Sequence, residues 1–140
     1  MNVLVAVLCD AATDDRGKLN LLGAFDTILA PAFPTIHPQC AVALRLTFND
    51  SDVGDHSMNL RFVDADGHDI MPPSPIPVPV DMPEDAMFLS RNFIIHISQL
   101  KLHAPGPYSF DVFLDDEQIA SVPLLVKHVP QTEPSTTEEE

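Results

Sequence analysis

The stretch Cys40-Ala41-Val42-Ala43-Leu44-Arg45-Leu46-Thr47-Phe48 decides the fold class. Val42, Leu44, Leu46 and Phe48 occupy every second position, with Ala43, Arg45 and Thr47 between them. In an extended chain successive side chains point to opposite faces, so this spacing builds a strand with one apolar face. A helix would repeat its apolar positions every three or four residues, and that period is scarce along this chain.

The same pattern recurs outward in both directions. On the C-terminal side, Ser57–Asp64 sets Met58, Leu60 and Phe62 on one face, and Phe88–Leu100 does so with Phe93, Ile95 and Ile97. Pro107–Leu114 aligns Tyr108, Phe110, Val112 and Leu114, and Ile119–His128 follows after a tight hairpin turn at Asp115-Asp116. On the N-terminal side, Asn2–Cys9 is almost continuously apolar and reads as a buried strand, and Asp14-Asp15-Arg16-Gly17 reads as a turn. Lys18–Leu29 reads as one strand kinked or bulged at Gly23, and a loop carrying Pro31, Pro34 and Pro38 follows. Short apolar runs broken by Gly, Pro and Asp predict an all-β fold: a single antiparallel β-sandwich of about eight strands. It spans residues 1–129. The remainder, 130–140, holds mostly Pro, Thr, Ser and Glu, and such a composition predicts a disordered acidic tail.

Met71–Pro83 departs from the pattern. Pro75, Pro77 and Pro79 alternate with Ile76, Val78 and Val80. Successive N–H groups of a strand point to opposite edges, so prolines at every second position strip donors from one edge only. The stretch reads as an edge strand whose outer rim cannot be extended by another chain. An ordered proline-rich loop is a rival reading. So is a polyproline ligand with P-x-x-P spacing at Pro72 and Pro75, although no flanking Arg or Lys accompanies it.

With 140 residues the chain can bury a core without covalent staples. Its 21 acids and 7 bases give a net charge of −14. Phosphate recognition depends on Lys and Arg, and anionic lipid attracts the same residues, so neither nucleic acid nor membrane is an expected partner. No basic residue precedes the six apolar residues Val3–Leu8, which argues against a secretory leader and for a cytoplasmic location. Cys9 and Cys40 are then expected as free thiols, and Cys9, inside an apolar strand, as a packed one.

Leu102-His103-Ala104-Pro105-Gly106-Pro107-Tyr108-Ser109-Phe110 resembles the tyrosine corner of immunoglobulin-like and fibronectin-like sandwiches. That resemblance implies a bond from the Tyr108 hydroxyl to upstream backbone. Phe110 stands where antibody domains carry a cysteine. Over nearly its whole length the chain also resembles an uncharacterised bacterial family, a domain of unknown function. Leu8-Cys9-Asp10-Ala11-Ala12, Gly17-Lys18-Leu19-Asn20-Leu21-Leu22-Gly23, Phe33-Pro34 with His37-Pro38, Ala43-Leu44-Arg45-Leu46, Asp64-Ala65-Asp66-Gly67 and Pro105–Phe110 carry the likeness. It implies a soluble β-sandwich and supplies no activity or binding residue.

Candidate chemistry is sparse. Asp64-Ala65-Asp66-Gly67-His68-Asp69 alternates carboxylates at a turn, and Asp64, Asp66 and Asp69 are weak calcium candidates. Asp-Gly between strands is also a common hairpin signal, and no final acidic ligand follows at EF-hand spacing. Asp50, Asp52 and Asp55 form a second acidic loop that could converge on the same end of the sandwich. His37, His56, His68, His96, His103 and His128 show no zinc spacing, with His96 and His128 expected to face away from the core. Asp10 could pair locally with Arg16 or Lys18, and Arg45 is expected to be structural. No nucleophile elbow, phosphate loop or dinucleotide fingerprint is present. No cofactor and no catalysis are expected. The leading expectation is a non-enzymatic module that docks on another protein. A small-ligand or calcium-binding sandwich, and an accessory subunit of a larger bacterial or phage-like assembly, are the competing expectations.

Overall fold

A computed structural model describes residues 1–130; the expected tail therefore lies, from residue 131 on, outside the described residues. Among the described residues nine strands form: β1 (Asn2–Asp15), β2 (Lys18–Ala24), β3 (Thr27–Ala30), β4 (Thr35–Phe48), β5 (Gly54–Val63), β6 (Ile76–Val80), β7 (Leu89–Leu102), β8 (Gly106–Leu114) and β9 (Glu117–His128). One sheet has the order β2-β1-β4-β7 and the other β3-β9-β8-β5-β6. The all-β sandwich is therefore observed, with corrections to its strands: Pro38, expected in the loop before β4, lies within it, and of Met71–Pro83 only Ile76–Val80 is a strand.

The expected single strand Lys18–Leu29 is two strands in different sheets. Phe25 N donates to Leu8 O at 2.9 Å, the last bond to the first sheet, and Leu125 N donates to Asp26 O at 2.7 Å, the first bond to the second. The chain crosses the sandwich between those residues, and this raises the count from eight to nine. The sheets are also not wholly antiparallel. β3 runs parallel to β9, because the crossing delivers it to the second sheet in that sense.

Val42, Leu44, Leu46 and Phe48 pack as their alternation requires, against Met58, Leu60, Phe62, Phe110, Val112 and Leu124 from the facing sheet. The Phe62 ring stacks on Phe110 at 4.3 Å and on Tyr108 at 5.3 Å. Tyr108 Oη donates to Ala104 O at 2.6 Å, the bond the corner motif implies. Arg16 and Gly17 both have positive φ, as do Asp115 and Asp116, which makes both hairpins two-residue turns.

The outer face of β4 is not simply polar. β1 pairs with β4 only as far as Cys9 opposite Ala41; beyond that it pairs with β2 alone. The β1–β2 arm then turns back over its own sheet. Arg45 Nη1 donates to Gly17 O at 2.8 Å, and Asn92 Nδ2 donates to Asp14 Oδ2 at 2.9 Å. Beneath the arm Cys9, Ala12, Ala41 and Ala43 form a second buried cluster. Small side chains are what fit between an arm and the sheet it lies on.

β6 is an edge strand. Its register sets Ile76, Val78 and Val80 opposite Met58, His56 and Gly54, with Pro77 and Pro79 opposite Ser57 and Asp55. Proline has no N–H, so the ladder to β5 runs through Ile76, Val78 and Val80, which also face the core. Among the described residues, no helix is long and apolar enough to cross a membrane.

Candidate functional site

The loop after β5 brings Asp64, Asp66 and His68 together, with one ligand-type atom from each inside 4.8 Å of the others. Its geometry is that of a turn built on Asp64. Oδ1 of Asp64 accepts N–H bonds from Asp66 at 3.0 Å and His68 at 2.9 Å, and the His68 bond foremost holds the Asp64 carboxyl below its usual range. Gly67, with φ of 81°, closes the turn. Asp69 is not in the cluster. Arg61 grips it with two parallel bonds, Nε to Oδ1 at 2.9 Å and Nη2 to Oδ2 at 3.0 Å, which depresses its pKa. Two carboxylates and an imidazole fall short of the six to eight oxygens a calcium ion takes. The second acidic loop precedes β5 whereas Asp64 follows it, so the two lie at opposite ends of that strand rather than converging.

At the other end stands a pair with no local signature, His56 and Asp115, 59 residues apart. His56 Nδ1 meets the Asp115 carboxylate and Nε2 meets the carbonyl of Asp52. Both partners only accept, so the ring serves as a double donor and its protonated form is favoured. The Asp115 bond, then the Asp52 carbonyl, raise the His56 pKa, while His56 and the Ser57 N–H lower that of Asp115. A cleft of about 550 Å³ adjoins the pair, lined by Val3, Asp52, Leu114, Gln118 and Ile119 among others. Among the described residues it holds no hydroxyl or thiol nucleophile, and both ring nitrogens are engaged. The pair is a clamp joining the β8–β9 turn to the start of β5.

Where β1 leaves β4, a cleft of about 420 Å³ opens between Asp10, Gly23, Phe25, Ile28, Leu29 and His37. Asp10 is not paired with Arg16 or Lys18. Its carboxylate lies over Gly23, where an added Cβ would come within 2.3 Å of Oδ2. His37 packs beside Phe25 at 5.6 Å, and its buried Nε2 has no hydrogen-bond partner among the described residues. Cys9 and Cys40 are free and buried. Burial pushes both thiols up, Cys40 to about 11, away from nucleophilic range. His96 and His128 are exposed, as their strand positions require.

The connection from β6 to β7 carries two adjacent exposed large apolar side chains. Phe88, expected within a strand, lies just outside β7 and is 62% exposed; Met87 beside it is 89% exposed. Strand periodicity hides this, because Phe88 continues the apolar run into Leu89.

A family of unknown function, DUF6941, matches residues 4–127. The chain belongs to this family. No curated protein matches the DUF6941 chain. Among solved structures, similar chains include a glycosyl hydrolase family 2 member from Bacteroides cellulosilyticus. It is 16% identical over 66% of this chain and 14% of its own, with a TM-score of 0.39. Another is the alkylpurine DNA glycosylase AlkC of Pseudomonas fluorescens, bound to DNA containing an abasic site analog. That likeness is 11% identity over 90% of this chain and 30% of its own, with a TM-score of 0.41. The DUF6941 chain thus spans less than a third of either protein, and neither likeness bears on its function.

Proposed function

We propose that this DUF6941 protein is a non-enzymatic docking module of the bacterial cytoplasm whose partner is another protein. The observation that carries the reading is the adjacent pair Met87 and Phe88, both held out into solvent. Exposed apolar side chains standing together on a monomer mark contact surfaces, and aromatic and methionine side chains are enriched at such surfaces. Asp81, Glu84 and Asp85 precede the pair in sequence. An apolar pair with acids on its N-terminal side suits a partner with an apolar pocket that carries Lys or Arg on the matching side. The net charge of −14 favours such a partner over nucleic acid or anionic lipid. Two buried free thiols suit a reducing compartment.

Affinity capture at low and high salt, with the parent protein and with a Met87→Ser, Phe88→Ser variant, tests the reading. A dominant partner held by the parent, weakened by salt and lost from the variant is the expected result. Equal capture by both proteins at both salt concentrations would remove this surface from the account.

A further inference from the structure

A sandwich of two open sheets has four edges, and each presents unpaired backbone groups that another strand can extend. Three of these edges are closed or too small. β6 lacks donors at Pro77 and Pro79. β2 is carried away from the sheet plane in the arm that folds over β4. β3 has only four residues.

β7 is different. It has 14 residues and no proline, and among the described residues it pairs only with β4. In an antiparallel pair every second residue turns its N–H and C=O to the far side, so β7 offers a long row of free donors and acceptors. Gln99, with φ of 56°, interrupts the row near its end and leaves Leu89–Ser98 regular. The middle of that run is Phe93-Ile94-Ile95-His96-Ile97, apolar and rich in β-formers.

The space beside this edge is also open. A cleft of about 380 Å³ lies between β7 and the residues leading into β6, lined by Leu60, Met71, Pro72, Ile76, Ile95 and Ile97. Arg91 closes one end, with Nη1 donating to Pro79 O at 2.7 Å and its guanidinium over the Phe93 ring. Phe93 and Ile95 point toward the core yet remain only half-buried, since no strand of the facing sheet covers them at this edge.

We propose that β7 accepts an extended segment of another protein as a fifth strand of its sheet. Alternate apolar side chains of that segment fill the cleft over Ile95 and Ile97. This deepens the docking reading above and rests on it, since Met87 and Phe88 lead directly into β7. Charge selects the class of segment. On a chain with three acids for every base, β7 holds Arg91 and Lys101 and no carboxylate, so the matching segment is apolar in its middle and acidic at its ends. A second copy of this chain fits poorly. Each copy brings a charge of −14, and a two-fold pairing centred on His96 sets Arg91 against Lys101.

The probe is a capped synthetic peptide of alternating valine and threonine, about eight residues long, with glutamate at each end. It is titrated into the full chain with backbone amide signals followed by NMR. The expected result is saturable binding with shifts centred on Leu89–Ser98. Two N-methylated peptides, blocked at the valines or at the threonines, must behave differently, since only one set of N–H groups faces β7; one binds at least tenfold more weakly. Ile95→Lys, checked for an unchanged fold by its spectrum, also weakens binding tenfold or more. No binding, equal binding of both methylated peptides, or shifts confined to another edge overturns the proposal. So does a dimer of the parent protein whose β7 amides are protected from exchange. If the peptide fails while capture through Met87 and Phe88 persists, the edge is wrong and the docking reading stands. If the peptide binds and capture finds no partner, the edge accepts a strand but the docking reading falls, and with it the claim that a partner protein supplies that strand.

Discussion

Gly23 carries two constraints at one residue. Its φ is 69°, and the Asp10 carboxylate occupies the place of a side chain. Gly23→Ala therefore costs about 1–2 kcal/mol from the left-handed backbone alone, plus whatever moving Asp10 costs. Denaturant titration should show that the loss shrinks when Asp10→Ala is added, because the two sites share one contact. His56 gives a prediction in pH. Its folded pKa is raised, so its contribution to stability is complete below the ordinary histidine value of about 6.5 and disappears as pH rises through the raised value. The Asp115 pKa is depressed, so its contribution is complete above the ordinary carboxylate value and is lost as pH falls through the lowered one. The clamp is thus strongest between the two ordinary values, in weakly acidic solution. The melting temperature of His56→Gln should lie furthest below the parent there and converge with it on the alkaline side. A constant gap from weakly acid to alkaline pH would mean that no proton is linked to the clamp.

At the scale of elements, alternation in the sequence was enough to place β4, β5 and β8, and the prolines were enough to identify β6 as an edge. Replacing Pro77 and Pro79 with Thr restores two outward donors without disturbing the inward Val78 and Val80. Sedimentation should then show concentration-dependent self-association that the parent lacks. A variant as monomeric as its parent would mean the prolines do not guard that edge. The division of Lys18–Leu29 was not legible in the same way. β2 and β3 are both apolar and extended, and what separates them is which sheet receives their hydrogen bonds, Leu8 O for Phe25 and Leu125 N for Asp26. The arm over β4 was hidden for a related reason. Ala41 and Ala43 look like an indifferent outer face until Gly17 and Asp14 are seen bound to Arg45 and Asn92.

For the molecule as a whole, the two sheets hold together through one apolar layer with no buried polar or charged residue among the described ones. Phe62 is fully buried near its centre, against Phe110 and Tyr108. Phe62→Ala should lose about 3–5 kcal/mol, measured by chemical unfolding. That is a large share of what a domain of this size possesses. A loss below about 1 kcal/mol would mean the rings do not carry the contact between sheets. The candidate surfaces are also properties of the whole. Exposure of Met87 and Phe88 and the bare edge of β7 depend on where both sheets end, and no short window of sequence contains that information.

The sequence by itself determined the all-β class, the inward faces of β4, β5 and β8, the hairpin at Asp115-Asp116, the packed cysteine and the blocked β6 edge. Each depends on the alternation of neighbours or on the chemistry of one backbone unit. Only the tertiary structure decided the crossing at Phe25–Asp26, the parallel β3–β9 pair, the His56–Asp115 clamp, the capture of Asp69 by Arg61 and the open edge at β7. Most of these are relations between residues distant along the chain, and the Arg61–Asp69 pair is a choice among nearby partners that the folded loop makes. Their physical cause is that hydrogen bonds and charges are satisfied by whatever the fold brings within reach.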